Sequence, residues 1–158
     1  MKKLLIIGIV ATTFFAACGG NSGEAGSDAT TTDAGASGAS VADYDPNRGE
    51  GKFDHVDLGA GLDKAMADAG KSTAEMKCLS CHKLTDEKLV GPGWAGVTER
   101  HKPEWILNFM TNTDAMIDKD PKVQAMLEIC LVRMPNQNLS DEEARSILEF
   151  MRENDGVK

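Results

Sequence analysis

The apolar side chains of residues 140–154 recur with the spacing of one face of a helix. They lie at positions i, i+3, i+4 and i+7, at Ala144, Ile147, Leu148 and Met151. Ser140 precedes them, and Glu143 follows Ser140 by three residues, which is the spacing of a capping box. The pattern predicts an amphipathic helix that begins just after Ser140 and buries this apolar face.

Three further stretches after residue 61 predict short helices. Residues 62–77 contain several alanines and few helix breakers. Pro103 and the pair Asp120-Pro121 are typical of helix starts, because proline suits the first turn, and they predict helices over residues 104–110 and 122–131. No run alternates as a strand does. We therefore expect an all-α domain with about four short helices.

The first 18 residues have the pattern of an export signal. Lys2 and Lys3 precede an apolar run from Leu4 to Phe15 that is too short for a comfortable membrane span. Small residues then lead to Cys18, as in a bacterial lipobox. This predicts a lipoprotein signal peptide over residues 1–17 and a lipidated Cys18, with an ordinary secretory peptide as the alternative. Several acyl chains on one cysteine anchor a protein stably to a membrane.

Residues 18–50 are predicted to form a flexible tether. They are mostly Gly, Ala, Ser, Thr, Asn and Asp, which bury too little surface to offset the entropy of ordering. Residues 51–61 are an extension of uncertain structure, and residues 62–158 form one small folded domain. The expected location is the periplasmic side of a bacterial cell envelope, anchored to the membrane by lipid.

The charge of the chain is strongly acidic. The formal net charge is −8, and it becomes −10 when residues 1–17, which contain Lys2 and Lys3 but no acid, are removed. No basic patch is present, which argues against a nucleic-acid partner.

The run Cys78-Leu79-Ser80-Cys81-His82 carries the most specific chemistry in the chain. Cys-x-x-Cys-His is the attachment signature of c-type haem, in which both thiols add to the haem vinyl groups. His82 is placed to be the proximal axial ligand of the iron. We therefore predict one covalent haem c held by Cys78 and Cys81.

Two other interpretations of this motif are weaker. A thioredoxin-like Cys-x-x-Cys requires a buried strand before it, whereas residues 74–77 are polar and helical in pattern. A zinc site requires a second ligand pair, and the chain contains none at suitable spacing. Cys130 is left without a disulfide partner. It is interpreted as a buried thiol, with a redox thiol or an intermolecular disulfide as the alternative.

Met134 is the predicted second axial ligand. It follows the predicted third helix and precedes Pro135, which stops a helix and fixes the backbone. His/Met ligation is typical of electron-transfer haems, because the thioether raises the reduction potential. Met116 and His101 are the alternatives.

Several motifs in sequence order resemble the small bacterial class I cytochromes c. They are the Cys78–Lys83 run, Gly91-Pro92-Gly93-Trp94, Met134-Pro135 and the segment from Leu139 to Ala144. The resemblance covers about residues 70–153. It implies a class I cytochrome c fold, with about four short helices wrapped around one covalent haem.

The resemblance also implies roles for particular residues. The carbonyl of Pro92 would accept a hydrogen bond from His82 and so orient the ligand. Gly70 of the first helix would pack against Phe150 of the last. The segment between Trp94 and Met134 diverges from the family, and Arg100 and Trp105 are the candidates for contacts to the haem propionates.

The expected function is single-electron transfer without catalysis and without a small-molecule substrate. The haem would exchange electrons between membrane-associated respiratory donors and a terminal oxidase or a periplasmic reductase, such as nitrous-oxide reductase. A haem subunit of a larger respiratory complex is one alternative. A peroxidase-like enzyme or a gas-binding haem is a less favoured alternative, because Met134 would close the sixth position.

Overall fold

The computed structural model describes residues 44–158. It contains six helices and, over these residues, no strand: α1 Lys64–Lys77, α2 Val97–Arg100, α3 Pro103–Thr111, α4 Thr113–Lys119, α5 Pro121–Cys130 and α6 Asp141–Asn154. The predicted all-α class is confirmed, although two short helices, α2 and α4, add to the four that were expected. Within residues 44–158 no helix has the length and apolar character needed to cross a membrane.

The sequence signals at the helix starts work as expected. The Asp120 carboxylate accepts hydrogen bonds from the backbone N–H of Lys122 and Val123 at 2.7 and 3.0 Å, which caps α5. Ser140 and Glu143 form the reciprocal pair of a capping box at the start of α6. Both helices therefore begin where their side chains satisfy the free N–H groups.

Helices α1 and α6 cross in direct backbone contact at Gly70. A Cβ atom at Gly70 would lie 1.9 Å from the carbonyl oxygen of Ser146 and 2.8 Å from the backbone nitrogen of Ile147. The atoms nearest to such a Cβ are all backbone atoms of α6. The contact of Gly70 with the Phe150 ring stays a prediction. The glycine therefore lets two helices approach more closely than any side chain would permit.

The core lies where α1, α3 and α6 meet. Its fully buried members include Ala74, Leu107, Ala144, Ile147 and Leu148. The apolar face predicted for α6 is thus the face that packs inward, and it fixes α1 against α6. This packing positions Cys78, which follows the last turn of α1, at the edge of the core.

Residues 44–61 form a strap along the outside of the helices. Asn108, which is fully buried, accepts a hydrogen bond from the Phe53 backbone N–H at 2.9 Å. Its amide nitrogen donates to the carbonyls of Arg48 and Phe53, both at 3.0 Å. The Val56 backbone N–H donates to the Glu104 carboxylate at 3.0 Å. One buried amide therefore ties the strap to α3.

A buried charge cluster holds the end of the strap. Glu149 is fully buried and accepts from Arg152 at 2.7 Å, from Arg145 at 2.6 Å and from the Asp63 backbone N–H at 2.9 Å. Arg152 also donates to the carbonyl of Leu58 at 3.0 Å. Because the charges are paired and hydrogen-bonded, their burial is tolerated.

The strap changes one expectation about the tether. Residues 44–50, the last part of the predicted tether, pack on the helices, because Asn108 and Asn112 supply hydrogen bonds that composition does not reveal. The signal peptide at residues 1–17, the lipidated Cys18 and the rest of the tether lie outside the described residues and stay predictions.

Candidate haem site

The Cys-x-x-Cys-His segment turns directly off the end of α1. The Cys78 backbone N–H donates to the Ala74 carbonyl at 2.8 Å, which completes the helix. The backbone N–H groups of Cys81 and His82 both donate to the Cys78 carbonyl at 3.0 Å. This turn brings both sulfurs and the imidazole into the lining of one cavity. Before haem is attached, burial raises the pKa of the Cys78 thiol to about 11, so this sulfur is protonated near pH 7.

His82 is held in one tautomer. Its Nδ1 lies 2.8 Å from the carbonyl oxygen of Pro92. Because a carbonyl can only accept, Nδ1 is the protonated nitrogen and Nε2 keeps its lone pair for a metal. Burial lowers the pKa of His82, and the hydrogen bond to Pro92 opposes this effect without reversing it. The neutral ligand form is therefore favoured near pH 7.

The loop before Pro92 is shaped around the imidazole. The backbone N–H groups of Val90 and Gly91 donate to the Cys81 carbonyl at 3.1 and 2.9 Å. A Cβ atom at Gly91 would lie 2.4 Å from Cε1 of His82. Only glycine therefore permits the loop to approach the ring and deliver the Pro92 carbonyl.

Met134 reaches the site from the loop between α5 and α6. It is half-buried and lines the same cavity as His82. The preceding residue, Arg133, forms ion pairs with Asp114 and Asp118 of α4 at 3.1 and 3.2 Å. Such exposed pairs contribute little stability singly, but together they fasten the loop to α4.

Two adjoining cavities make up the site. The larger has a volume of about 410 Å³ and the smaller about 80 Å³. The two cavities share seven lining residues, which are Cys81, His82, Pro92, Phe109, Met126, Met134 and Pro135. The thiol pair, the free imidazole nitrogen, the thioethers and the mostly apolar walls together fit a covalently attached haem.

The structure separates the alternative ligands. Met116 is fully buried outside both cavities, and its sulfur accepts a hydrogen bond from the Glu50 backbone N–H at 3.0 Å. His101 lines the larger cavity but its ring is stacked on Trp105, with 3.9 Å between the ring centroids. Met126, on α5, lines both cavities. A methionine within an amphipathic helix is usually a core residue, so the sequence gives no signal that it lies at the site.

A zinc site is not supported by the described residues. Between residues 44 and 158 no three His, Cys, Asp or Glu side chains cluster closely enough to hold a metal ion. Cys130 is a half-buried free thiol that lines the smaller cavity.

Comparison with known proteins agrees with this geometry. Residues 67–155 match the sequence family described as cytochrome c. The chain belongs to the cytochrome c family. A search among curated proteins finds no match.

The cytochrome is also similar to solved structures of a bacterial relative. A cytochrome c from Rhodothermus marinus is 35% identical, with a TM-score of 0.65, and the alignment covers 66% of this chain and 90% of that chain. An engineered form of that protein, bound to a carbene intermediate, is 34% identical with a TM-score of 0.61 and the same coverage. The cofactor is haem c, attached at the Cys-x-x-Cys-His segment, and the protein is a haem c electron carrier.

Proposed function

We propose that this cytochrome is a membrane-tethered carrier of single electrons, with His82 and Met134 as the two axial ligands of its haem. The observation that carries the proposal is that His82, with Nε2 free, and Met134 line one cavity. The bound haem would take up and release one electron. A thioether ligand favours the reduced iron and occupies the sixth position, so we propose that the protein is not an enzyme.

The surroundings of the methionines favour Met134 over the others. Met76, Met110 and Met151 line the larger cavity as well, but Met110 and Met151 lie on helices α3 and α6 with their side chains packed in the core, and Met76 is 75% exposed. Among the described methionines only Met126 and Met134 line both cavities. Met134 stands on a loop that Pro135 stiffens, whereas Met126 lies within α5. A ligand on a loop can approach an iron without moving a helix.

Replacing each of these two methionines by leucine tests the assignment. Met134→Leu should open the sixth position, lower the reduction potential and permit carbon monoxide to bind. Met126→Leu is the matched control, since it makes the same change in the same cavity. It should keep the wild-type spectrum and potential. The opposite pattern would make Met126 the ligand, and the assignment of Met134 would then be wrong.

An exposed apolar patch adjoins the site. It consists of Leu89, Val90, Ile129, Leu131 and Val132, each 38–83% exposed. The Lys88 Nζ donates to the Ile129 carbonyl oxygen at 3.4 Å, which connects the loop that carries Leu89 and Val90 to the last turn of α5. Val90 and Val132 also line the smaller cavity, so the patch is continuous with the haem site.

The backbone at Leu131 supports a binding role for this patch. Leu131 is 83% exposed and has a φ of 58°, a left-handed conformation that costs a leucine about 1–2 kcal/mol. Glycine or asparagine would end α5 at lower cost. The exposed leucine therefore lowers the stability of the fold. We propose that it contacts a partner, and that the partner is a redox protein with an apolar face. Encounters of this kind are small and transient.

The partner surface can be tested by kinetics. Leu131→Gly should lower the second-order rate constant for electron exchange with a protein partner, because it removes the most exposed apolar contact. The rate with a small ionic oxidant is the control and should not change. Equal rates with the protein partner would count against the patch.

The proposed location rests on the sequence before residue 44. We propose that lipid on Cys18 anchors the protein on the periplasmic side of a bacterial membrane, where respiratory donors and a terminal oxidase or reductase are accessible. A haem subunit of a larger complex would share this chemistry. Cys18→Ala should release the haem-loaded protein from the membrane fraction into the soluble fraction. Membrane retention of that variant after its residues 1–17 have been removed would argue for anchoring by a protein complex.

A further inference from the structure

Residues 83–96 form a loop, the proximal loop, that contains neither helix nor strand. Its two limbs pair through backbone hydrogen bonds, from the Trp94 N–H to the Lys83 carbonyl at 2.9 Å and from the Ala95 N–H to the Thr85 carbonyl at 3.2 Å. The loop supplies the carbonyl that accepts a hydrogen bond from the imidazole of the Cys-x-x-Cys-His motif. Loops are the more mobile parts of a fold. The position of this carbonyl therefore depends on what holds the two limbs.

The end of α6 holds both limbs of the proximal loop. On the first limb, the Asn154 side-chain amide donates to the Leu84 carbonyl at 3.0 Å. On the second limb, the Asp155 carboxylate accepts from the Gly96 backbone N–H at 2.7 Å. The same carboxylate accepts from the backbone N–H and the hydroxyl of Thr98, at 2.9 and 2.6 Å. Asn154 and Asp155 therefore form a clamp, the α6 clamp, that fixes the two limbs relative to each other.

The α6 clamp is itself fixed by the core. The side chains just before it are buried, since Phe150 and Met151 are only 5% and 4% exposed. The backbone of α6 lies in close contact with α1 at Gly70. Helix α1 in turn ends at Cys78, the first residue of the haem motif. One pair of packed helices therefore positions both the haem motif and the loop that faces its imidazole.

The interior of the proximal loop transmits the position of its limbs to Pro92. A Cβ atom at Gly93 would lie 2.2 Å from the Thr85 carbonyl oxygen, so the backbone there is in close contact with the opposite limb. On the other side of Pro92, a Cβ atom at Gly91 would lie 2.4 Å from the His82 ring. Such close packing leaves little free space. A shift of either limb therefore changes the distance of 2.8 Å between Nδ1 of His82 and the Pro92 carbonyl oxygen.

We infer that Asn154 and Asp155 are positioning residues for the haem ligand, and that the α6 clamp lowers the reduction potential by strengthening the hydrogen bond between His82 and Pro92. A carbonyl that accepts from Nδ1–H makes the imidazole a stronger electron donor to a metal. Stronger donation stabilises the oxidised iron, so a looser hydrogen bond raises the potential. The inference rests on the proposed role of His82 as an iron ligand. It does not depend on Met134.

The test is the reduction potential of the haem-loaded protein with either clamp residue replaced. Asn154→Ala is the decisive variant, because it removes the contact to one limb without changing any charge. Loss of a direct hydrogen-bond partner of a metal ligand costs about 10–100-fold in metal affinity or activity. Asn154 acts one contact further away, so its loss should shift the reduction equilibrium by about threefold to tenfold, where tenfold is a rise of about 59 mV. Asp155→Ala removes three accepted hydrogen bonds and should raise the potential further.

Two control variants separate positioning from charge and from stability. Glu153→Ala removes a carboxylate beside the clamp, which alone favours the reduced, more negative haem. Glu153 pairs with Lys64 of α1 at 3.2 Å rather than with the proximal loop, so its loss should raise the potential less than Asn154→Ala does. Asn108→Ala loosens the strap and should keep the wild-type potential. The inference is overturned if Asn154→Ala keeps the wild-type potential, or if either control raises it as much.

Nuclear magnetic resonance of the reduced protein follows the hydrogen bond itself. The Pro92 carbonyl protects the Nδ1 proton of His82 from exchange with water, and the buried backbone amide of Leu107 reports global opening. Asn154→Ala should speed exchange at Nδ1 more than at Leu107. The same ratio of the two rates as in wild type would overturn the inference. The haem-induced shift of the His82 ring protons shows separately whether His82 binds the iron, and its absence would refute the proposed ligand role whatever the clamp variants show.

Discussion

Gly70→Ala should destabilise the protein although it replaces glycine inside a helix. On its own, alanine in α1 would gain up to about 1 kcal/mol over glycine. The added Cβ atom would lie 1.9 Å from the Ser146 carbonyl oxygen, whereas ordinary contact begins near 3.4 Å. The obstacle is backbone of α6, so relief requires the two helices to move apart by more than 1 Å and to loosen the core behind them.

The size of the effect follows from these opposing terms. Overpacking against a rigid neighbour typically costs about 1–3 kcal/mol, and the backbone contact places Gly70 at the upper end. Subtracting the helix-propensity gain leaves a loss of about 2 kcal/mol. For a domain of this size that is a decrease in Tm of roughly 8–16 °C. Guanidinium unfolding of the haem-loaded protein, followed by circular dichroism, measures the loss of unfolding free energy, and thermal unfolding measures the decrease in Tm.

Gly61→Ala is the matched control for this prediction. A Cβ atom at Gly61 would meet only the Lys158 carbonyl oxygen, at an ordinary 3.4 Å, so the free energy of unfolding should change little. If Gly70→Ala were as stable as wild type, or no less stable than Gly61→Ala, the close contact between α1 and α6 would not exist in solution.

Three further predictions concern other parts of the fold. Burial raises the pKa of Glu149, but hydrogen bonds from Arg145, Asp63 and Arg152 outweigh it, so the pKa lies below its ordinary value. Its stabilisation is therefore present above about pH 4.3 and lost as pH falls through the lowered pKa. Glu149→Gln should lower the free energy of unfolding by about 2 kcal/mol at pH 7. Between pH 5 and 3 the variant should lose less unfolding free energy than the wild type, and equal losses in both proteins would contradict this role of Glu149. Asn108→Ala removes three hydrogen bonds to the strap and should cost about 2–4 kcal/mol, with faster hydrogen exchange in residues 44–58; unchanged exchange would refute its anchoring role. Leu131→Gly should raise the free energy of unfolding by about 1 kcal/mol, and a loss of stability would show that the leucine is not strained.

Local signals made most of the helices predictable. Asp120 and Ser140 each satisfy N–H groups within three residues, so their role depends only on the adjacent sequence. The two additional helices lack such signals. No side chain caps the start of α2 or of α4. Helix α2 begins after Gly96, which has a left-handed conformation, and α4 begins after Asn112. Such short helices depend on the packing around them rather than on propensity.

The Cys-x-x-Cys-His motif was predictable too, because it lies within five consecutive residues. The contacts around the site were not predictable, because they join residues that are far apart in the sequence. The Trp105 indole N–H donates a hydrogen bond to the Asp120 carboxylate, and this contact depends on the position of α3 relative to the start of α5. The packing of residues 44–50 depends on the side-chain amides of Asn108 and Asn112, which donate to backbone carbonyls of that segment. These contacts join residues separated by 15 to more than 60 positions, and no pattern within a single window of sequence contains them. Composition alone therefore assigned residues 44–50 to a tether.

The most direct test of the proposed function is a pair of visible and near-infrared spectra of the exported, haem-loaded protein, oxidised and reduced. His82 and Met134 as ligands predict a low-spin c-type spectrum with the methionine–iron charge-transfer band in the oxidised state, and no change of the reduced spectrum with carbon monoxide. A high-spin spectrum, or one that carbon monoxide alters, would show an open iron and would contradict the assignment of the protein as a simple electron carrier.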